Sequence, residues 1–209
     1  MTSERNAERS PEQTRTRILE AAREEIFQNG YQGMRIESIL QKTNLAKGAL
    51  YHYFPNKLAL GYAVVDEVLM GHFQSVWQET FQQSNDPLIT LQKMFLNKAE
   101  SHQNSECFNG CPLNNLNQEM AAIDTGFHQR LESVFEDINQ TIVDSLKQGQ
   151  LEGIVRKEID PVKISMFIFS CYQGIMGTAK CMQAPELLKD LFGTLNEYIE
   201  TLRAPVRTN

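Results

Sequence analysis

Apolar residues recur at three- and four-residue spacing along nearly the whole chain, and no Val/Ile/Thr-rich stretch alternates with polar residues. A period near 3.6 keeps one face of a helix apolar and would scatter the same residues over both faces of a strand. The spacing therefore predicts an all-α fold of about nine helices, divided by turn and capping residues.

Those punctuation marks set the helix ends. Ser10-Pro11-Glu12-Gln13 reads as N-cap, Pro at N1 and the far end of a capping box. Leu19, Ala22 and Ile26 then share a face, and Asn29-Gly30 stops the helix, with Gly30 left-handed. A short second helix is expected around Ile36, Ile39 and Leu40, a tight turn at Thr43-Asn44, and a third helix from Lys47 to Tyr53. Asn56 caps a long fourth helix, Lys57 to Gln82, striped by Leu58, Tyr62, Val65, Leu69, Phe73 and Val76. Asp86-Pro87 starts a fifth helix running to Ser101, and Gln103 to Gly110 reads as a polar loop. A sixth helix spans Pro112 to Ala121. Asp124 caps a seventh, carrying Phe127, Leu131, Val134, Ile138 and Ile142, with Gly149 and Gly153 in the loop after it. Asp160-Pro161 starts the eighth, and Ala184-Pro185 separates it from a ninth that ends near Leu202.

Composition narrows the setting. The chain has 209 residues, 41% hydrophobic and 22% charged, the balance of an ordinary globular protein. The uncharged run from Ile164 to Ala179 is too short to span a bilayer. No apolar run follows a basic one at the N-terminus, so no signal peptide, no membrane partner and a cytoplasmic setting are expected. Four cysteines are no disulfide framework, and Cys107 and Cys111, spaced C-x3-C with no second close pair, predict neither a metal site nor a cofactor. Net charge is −6, yet residues 1–60 hold nine basic and seven acidic residues while the remainder holds eleven and nineteen. The N-terminal part is thus the one suited to approach phosphates.

Two short helices joined by a tight turn behind a longer helix make a helix-turn-helix unit. With Leu50 and Phe54 turned inward, Lys47, Gly48, Ala49, Tyr51 and His52 are left to face a major groove. Gly48 and Ala49 allow close approach, and Ala49 suits a thymine methyl. Tyr51 and His52 donate to phosphates or base edges, while Lys57 and Arg35 are candidates for the flanking backbone.

The run from Gly30 to Leu60 closely resembles the DNA-binding domain of the TetR/AcrR repressor family. The match lies at Gly30-Tyr31, Ile39, Gly48, Leu50-Tyr51, Tyr53-Phe54, Lys57 and Leu60. Three positions depart from the family's pattern: Arg35 replaces a capping Thr, Asn44 a turn Gly and Ala46 a capping Ser. The resemblance implies a DNA-binding domain over residues 1–56 and a helical ligand-binding and dimerisation domain over 57–205. It implies a dimer on double-stranded DNA with a palindromic operator, released by a small-molecule effector as yet unknown, in a repressor and not an enzyme.

In the second domain, the last two helices suit a homodimer interface, as the resemblance also implies. Ile168, Tyr172 and Ile175 lie on one, beside Gly174 and Gly177. Leu188, Leu191, Leu195 and Tyr198 lie on the other. Phe73, Trp77, Phe95, Phe127 and Phe167 are expected to enclose an apolar pocket, with Asn114, Asn115 and Gln118 as polar anchors. Phe108 to Met120 resembles a subgroup of the family, the LmrA/YxaF-like and NemR-like regulators. Cys111 there, at a helix N-terminus that lowers thiol pKa, is a candidate sensor with Cys107 or Lys180 as partner. The alternatives are a thiol enzyme pairing Cys111 with His102 or His128, and a helical interaction module without DNA binding. None of His52, His72, His102 and His128 sits in a hydrolase or metalloprotease motif.

Overall fold

The capping residues do their work where the sequence places them. In the computed structural model, which describes residues 10–82, 84–102 and 108–205, Ser10 and Gln13 form a reciprocal capping box ahead of α1 (Pro11–Gly33). Asn56 accepts from the amide of Ala59, Asp124 from Phe127, Asp86 from Leu88 and Ile89, and Asp160 from Val162 and Lys163. Each side chain satisfies amides that the first helical turn leaves unpaired. Among the described residues the chain forms nine helices and no strand, with one isolated antiparallel bridge between Val155 and Arg203.

The chain divides into two compact units, one ending at Leu69 and the other beginning at Met70. The first holds α1, α2 (Ile36–Thr43), α3 (Lys47–Tyr53) and the start of α4 (residues 57–82). The second holds the rest of α4, α5 (Pro87–His102), α6 (Pro112–Met120), α7 (Thr125–Leu151), α8 (Pro161–Met182) and α9 (Leu187–Glu200). There α9 runs along α5, α8 lies against α7 and α9, and α6 leans on α7.

The fourth helix departs from a regular stripe. Its turns widen to π-helix at Val64–Leu69 and Gln74–Glu79. Val65, Leu69, Phe73, Trp77 and Phe81 are buried at a constant spacing of four, while Val76, expected on the stripe, is 39% exposed. In a pure α-helix each step of four overshoots a turn by about 40°, so the row would wind around the helix. Wide turns absorb the overshoot, for Val65 and Leu69 within the first unit and for Phe73, Trp77 and Phe81 within the second.

Gly149 is a second correction. It lies inside α7 and not in the loop after it. A Cβ there would stand 2.7 Å from Val155 Cγ2 and 2.9 Å from Pro87 Cγ, so absence of a side chain is what lets α7 approach its neighbours. Gly153, with φ 76°, is the turn glycine. Arg203 fastens the same end, pairing with Asp86 at 2.8 Å and with Glu200. Gly149→Ala is expected to lower unfolding free energy by about 1–3 kcal/mol through overpacking. Gly71→Ala, where a Cβ meets nothing within 4 Å, should cost nothing. Chemical denaturation of the two variants side by side measures the difference.

Candidate nucleic-acid interface and effector domain

The three-helix unit is organised from α1. Gly30, at φ 76° and ψ 166°, breaks α1 where the sequence asks it to stop. Asn44, at φ 52°, makes the left-handed turn between α2 and α3. Ile18, Ala22, Ile39, Leu50, Phe54 and Leu60 fill the core, so Leu50 and Phe54 do point inward. The opposite face of α3 is open: Lys47, Gly48 and His52 are exposed, Tyr51 is 36% exposed and Ala49 half-buried. A Cβ on Gly48 would meet nothing within 4 Å. The Lys47 ammonium stands 6.0 Å over the Tyr51 ring, which steadies both side chains on that surface. Arg35 is exposed as well.

Neither Arg35 nor Ala46 caps its helix through a side chain. For α2 the acceptor comes from α1 instead: the amide of Arg35 donates to Glu25 Oε1 at 3.4 Å. Glu25 is 4% exposed, and its other oxygen lies 3.8 Å from Lys42 Nζ in the last turn of α2. One buried carboxylate thus serves both ends of the helix. Arg17 donates to the carbonyl of Thr43 at 2.9 Å. Arg15 forms a two-pronged pair with Glu67 and lays its guanidinium 5.1 Å from the Phe54 ring centre. That pairing holds the Glu67 carboxyl below its usual range and raises the Arg15 guanidinium.

Lys57 has a structural task. Its ammonium donates to the carbonyls of Gln32 and Met34, both at 2.9 Å, and sits 5.2 Å from the centre of the Tyr31 ring. It closes the broken end of α1. Sequence reasoning missed this role and those of Arg15, Arg17 and Glu25. A carboxylate on the inward row with Ile18, Ala22 and Ile26 was the available signal for Glu25.

In the second unit the expected pocket residues Phe73, Trp77, Phe95 and Phe127 are buried in a closely packed aromatic core. Phe95 stacks on Phe192 at 5.2 Å and on Tyr172 at 5.7 Å, and Trp77 meets Phe95, Phe169 and Tyr172 edge-on. Phe167 is not part of it: it is 49% exposed and packs edge-on against Tyr198 at 5.0 Å. The helical step turns Phe169 and Tyr172 inward and Phe167 outward. Among the residues expected at a dimer interface, Ile168, Tyr172, Leu188 and Leu195 are buried within the unit. Ile175, Leu191 and Tyr198 are half-buried, on helices that also expose Met166, Met182 and Phe167.

Cys111 is the N-cap residue of α6 and 3% exposed. The amides of Leu113 and Asn114 and the ammonium of Lys98 favour its thiolate, but burial outweighs them and pushes the thiol pKa up. The lowered pKa expected at a helix start therefore does not arise. Asn114 donates to the carbonyl of Gln173 at 3.3 Å; Asn115 donates to that of Asn109 and accepts from Lys180 at 2.9 Å; Gln118 is exposed. Cys107 lies outside the described residues.

Comparison with known proteins decides the family. Residues 18–64 match the model of bacterial regulatory proteins of the tetR family, and residues 87–194 match the tetracyclin repressor-like C-terminal domain. The chain belongs to the TetR family of transcriptional regulators. It is a DNA-binding regulator and not an enzyme. An uncharacterized HTH-type transcriptional regulator from the lacX 3' region of Lactococcus lactis subsp. lactis is 29% identical over 192 residues, 90% of this chain and 93% of that one. Transcriptional regulator AcuR of Cereibacter sphaeroides is 25% identical over 185 residues, 88% of this chain and 84% of its own. Among solved structures, the reduced form of Escherichia coli NemR superposes with a TM-score of 0.80 at 15% identity, covering 94% of this regulator and 100% of NemR. A TetR-family regulator from Cytophaga hutchinsonii gives 0.80 at 22%, covering 96% and 100%. No helix among the described residues of this regulator is long and apolar enough to cross a membrane.

Two outcomes are expected for the regulator's first unit. Glu25→Ala leaves the Arg35 amide and Lys42 without their acceptor and should cost about 1–3 kcal/mol in thermal unfolding. Glu67→Gln should cost under about 1 kcal/mol, since the pair is solvent-screened. Because the folded-state pKa of Glu67 is lowered, its contribution is present above the ordinary carboxylate range and disappears as pH falls through the lowered value. Melting curves of wild type and Glu67→Gln should therefore converge on acidification.

Proposed function

We propose that this regulator is a homodimeric repressor that holds a palindromic operator through α3 of each protomer and lets go when a small molecule binds its second unit. The open face of α3, small at Gly48 and Ala49 and hydrogen-bonding at Lys47, Tyr51 and His52, is the observation that carries the DNA half of this reading. A seven-residue helix reads few base pairs, so two copies on half-sites about one helical turn apart supply affinity and specificity. Arg35 flanks the groove from the start of α2. Lys57 acts by fixing α1 against α4 and has one remaining N–H for a phosphate. Residues 1–56 then form the DNA-binding domain and 57–205 the effector and dimerisation domain of a cytoplasmic protein.

Half-exposed Phe167 with Met166 and Tyr198, and open positions at Gly174 and Gly193, favour α8 and α9 as the dimer face. Relatives named as repressors, DhaR of a Mycobacterium species and NemR of Escherichia coli, favour repression over activation. A small-molecule signal is favoured over thiol modification, because Cys111 is buried with its pKa raised, and reactive thiols are exposed with lowered pKa. An effector that binds the DNA-incompetent state more tightly must weaken operator affinity by the same factor.

The test starts with operator selection from random DNA at two salt concentrations. A palindromic site whose affinity falls steeply with salt is expected. On that site Tyr51→Ala should weaken binding about tenfold, the range of a lost base or phosphate contact, and leave the dimer intact. Phe167→Glu should shift the protein to monomer in sedimentation and abolish operator binding. An enriched site without dyad symmetry, or a Phe167→Glu protein that stays dimeric, would overturn the respective half of the proposal.

A further inference from the structure

The recognition helix α3 is seven residues long, and no side chain caps its start, where Ala46 offers only its carbonyl to the amides of Ala49 and Leu50. It lacks the help that α2 receives from Glu25. Its hold on the unit rests on Leu50, fully buried, and on Phe54, 3% exposed, whose amide closes the last turn on the Leu50 carbonyl at 3.0 Å. Tyr51, His52 and Tyr53 lie in that last turn. A small change in where Phe54 sits therefore tilts the residues that the open face presents.

Apolar contacts are not all that holds the Phe54 ring. The Arg15 guanidinium lies 5.1 Å from its centre, and the same guanidinium forms the two-pronged pair with Glu67, Nη2 donating to Oε1 at 2.6 Å. Glu67 sits inside the first wide turn of α4, Val64–Leu69, between the buried Val65 and Leu69. α4 is thus tied to both ends of α1, by Lys57 to the carbonyls of Gln32 and Met34 and by Glu67 to Arg15. The second tie is the one that reaches the end of α3. The pair is partly open to water, with side-chain exposures of 37% and 42%, so it adds little to the stability of the fold. A planar fork gripped on two prongs nevertheless has one orientation, and it fixes the ring it lies against.

We propose that Arg15, held by Glu67, is a positioning residue for operator recognition: it acts through Phe54 to set the angle of α3. The inference rests on the reading of α3 as the DNA-contacting helix. Charge and position make opposite demands on this pair. Glu67 is a carboxylate on the DNA-binding unit, so by charge alone its removal strengthens binding to any duplex. If it positions α3, its removal weakens binding to the operator and not to random DNA. The ratio of the two affinities cancels the sequence-independent charge effect and leaves the effect of position.

The experiment measures, by fluorescence polarisation at one salt concentration, the affinity of the full-length protein for the selected operator and for a random duplex of equal length. Wild type is compared with Glu67→Gln, Arg15→Met, Arg15→Lys and the double variant Arg15→Met/Glu67→Gln, and melting curves establish that each is folded. Glu67→Gln should lower the operator-to-random ratio about three- to fivefold, the span that an exposed ion pair can transmit. Arg15→Met should lower it at least as far, and adding Glu67→Gln to Arg15→Met should change it no further, because Glu67 acts only through Arg15. Arg15→Lys, a cation without the fork, should lower the ratio as well. An unchanged or raised ratio in folded Glu67→Gln, additive losses in the double variant, or an Arg15→Lys protein indistinguishable from wild type would each overturn the proposal. Tyr51→Ala is measured alongside. An operator affinity indifferent to Tyr51→Ala overturns the reading of α3 whatever the pair does; a loss in Tyr51→Ala with none in Glu67→Gln overturns the positioning role alone.

Discussion

Helices of eight and seven residues are too short to persist alone in water, and the whole first unit depends on how α1 holds them. The support is an apolar core around Ile18, Ile39, Leu50 and Leu60, and polar groups from one side then fix the helix ends. Glu25 binds the first amide and the last-turn lysine of α2, Arg17 takes its final carbonyl, and Arg15 bridges Phe54 to Glu67. Lys57 then fastens α4 to the broken end of α1. With the inner groups fixed in this way, the outer face of α3 needs no side chain of its own for stability, and its residues are free to serve recognition.

The second unit follows a different logic. Its centre is a stack of rings from four helices, with Tyr172 and Phe95 in contact with most of the others. Such a core is densely filled, with Trp77, Phe95, Phe169, Tyr172 and Phe192 all buried. Cys111, buried at the start of α6 with its thiol pKa pushed up by burial, is part of that filling.

Much of this was legible in the residues. Caps at Ser10, Asn56, Asp86, Asp124 and Asp160, the stop at Gly30 and the turn at Asn44 are local signals, and local signals survive folding. The inward pair Leu50 and Phe54 follows from spacing alone. What could not be read was set by partners distant in sequence. Whether Gly149 is a turn or a packing residue depends on Val155 and Pro87, and whether Lys57 faces a phosphate or a carbonyl depends on where α1 breaks. Phe167 and Phe169 look alike in a list of aromatics; only the phase of α8 separates them. Asn115 and Lys180 form no motif, because two helices distant in sequence bring them together.

The wide turns of α4 also bear on how this protein is compared with its relatives. A helix that accommodates a row repeating every fourth residue holds more residues per unit length than its α-helical equivalent. A relative with an unbroken α-helix at the same place reaches the same end point with fewer residues. Single-residue gaps therefore belong inside this helix, between Val64 and Glu79, and not only in the loops around it. An alignment that forbids gaps within helices would turn every position beyond such a gap by about 100° around the axis.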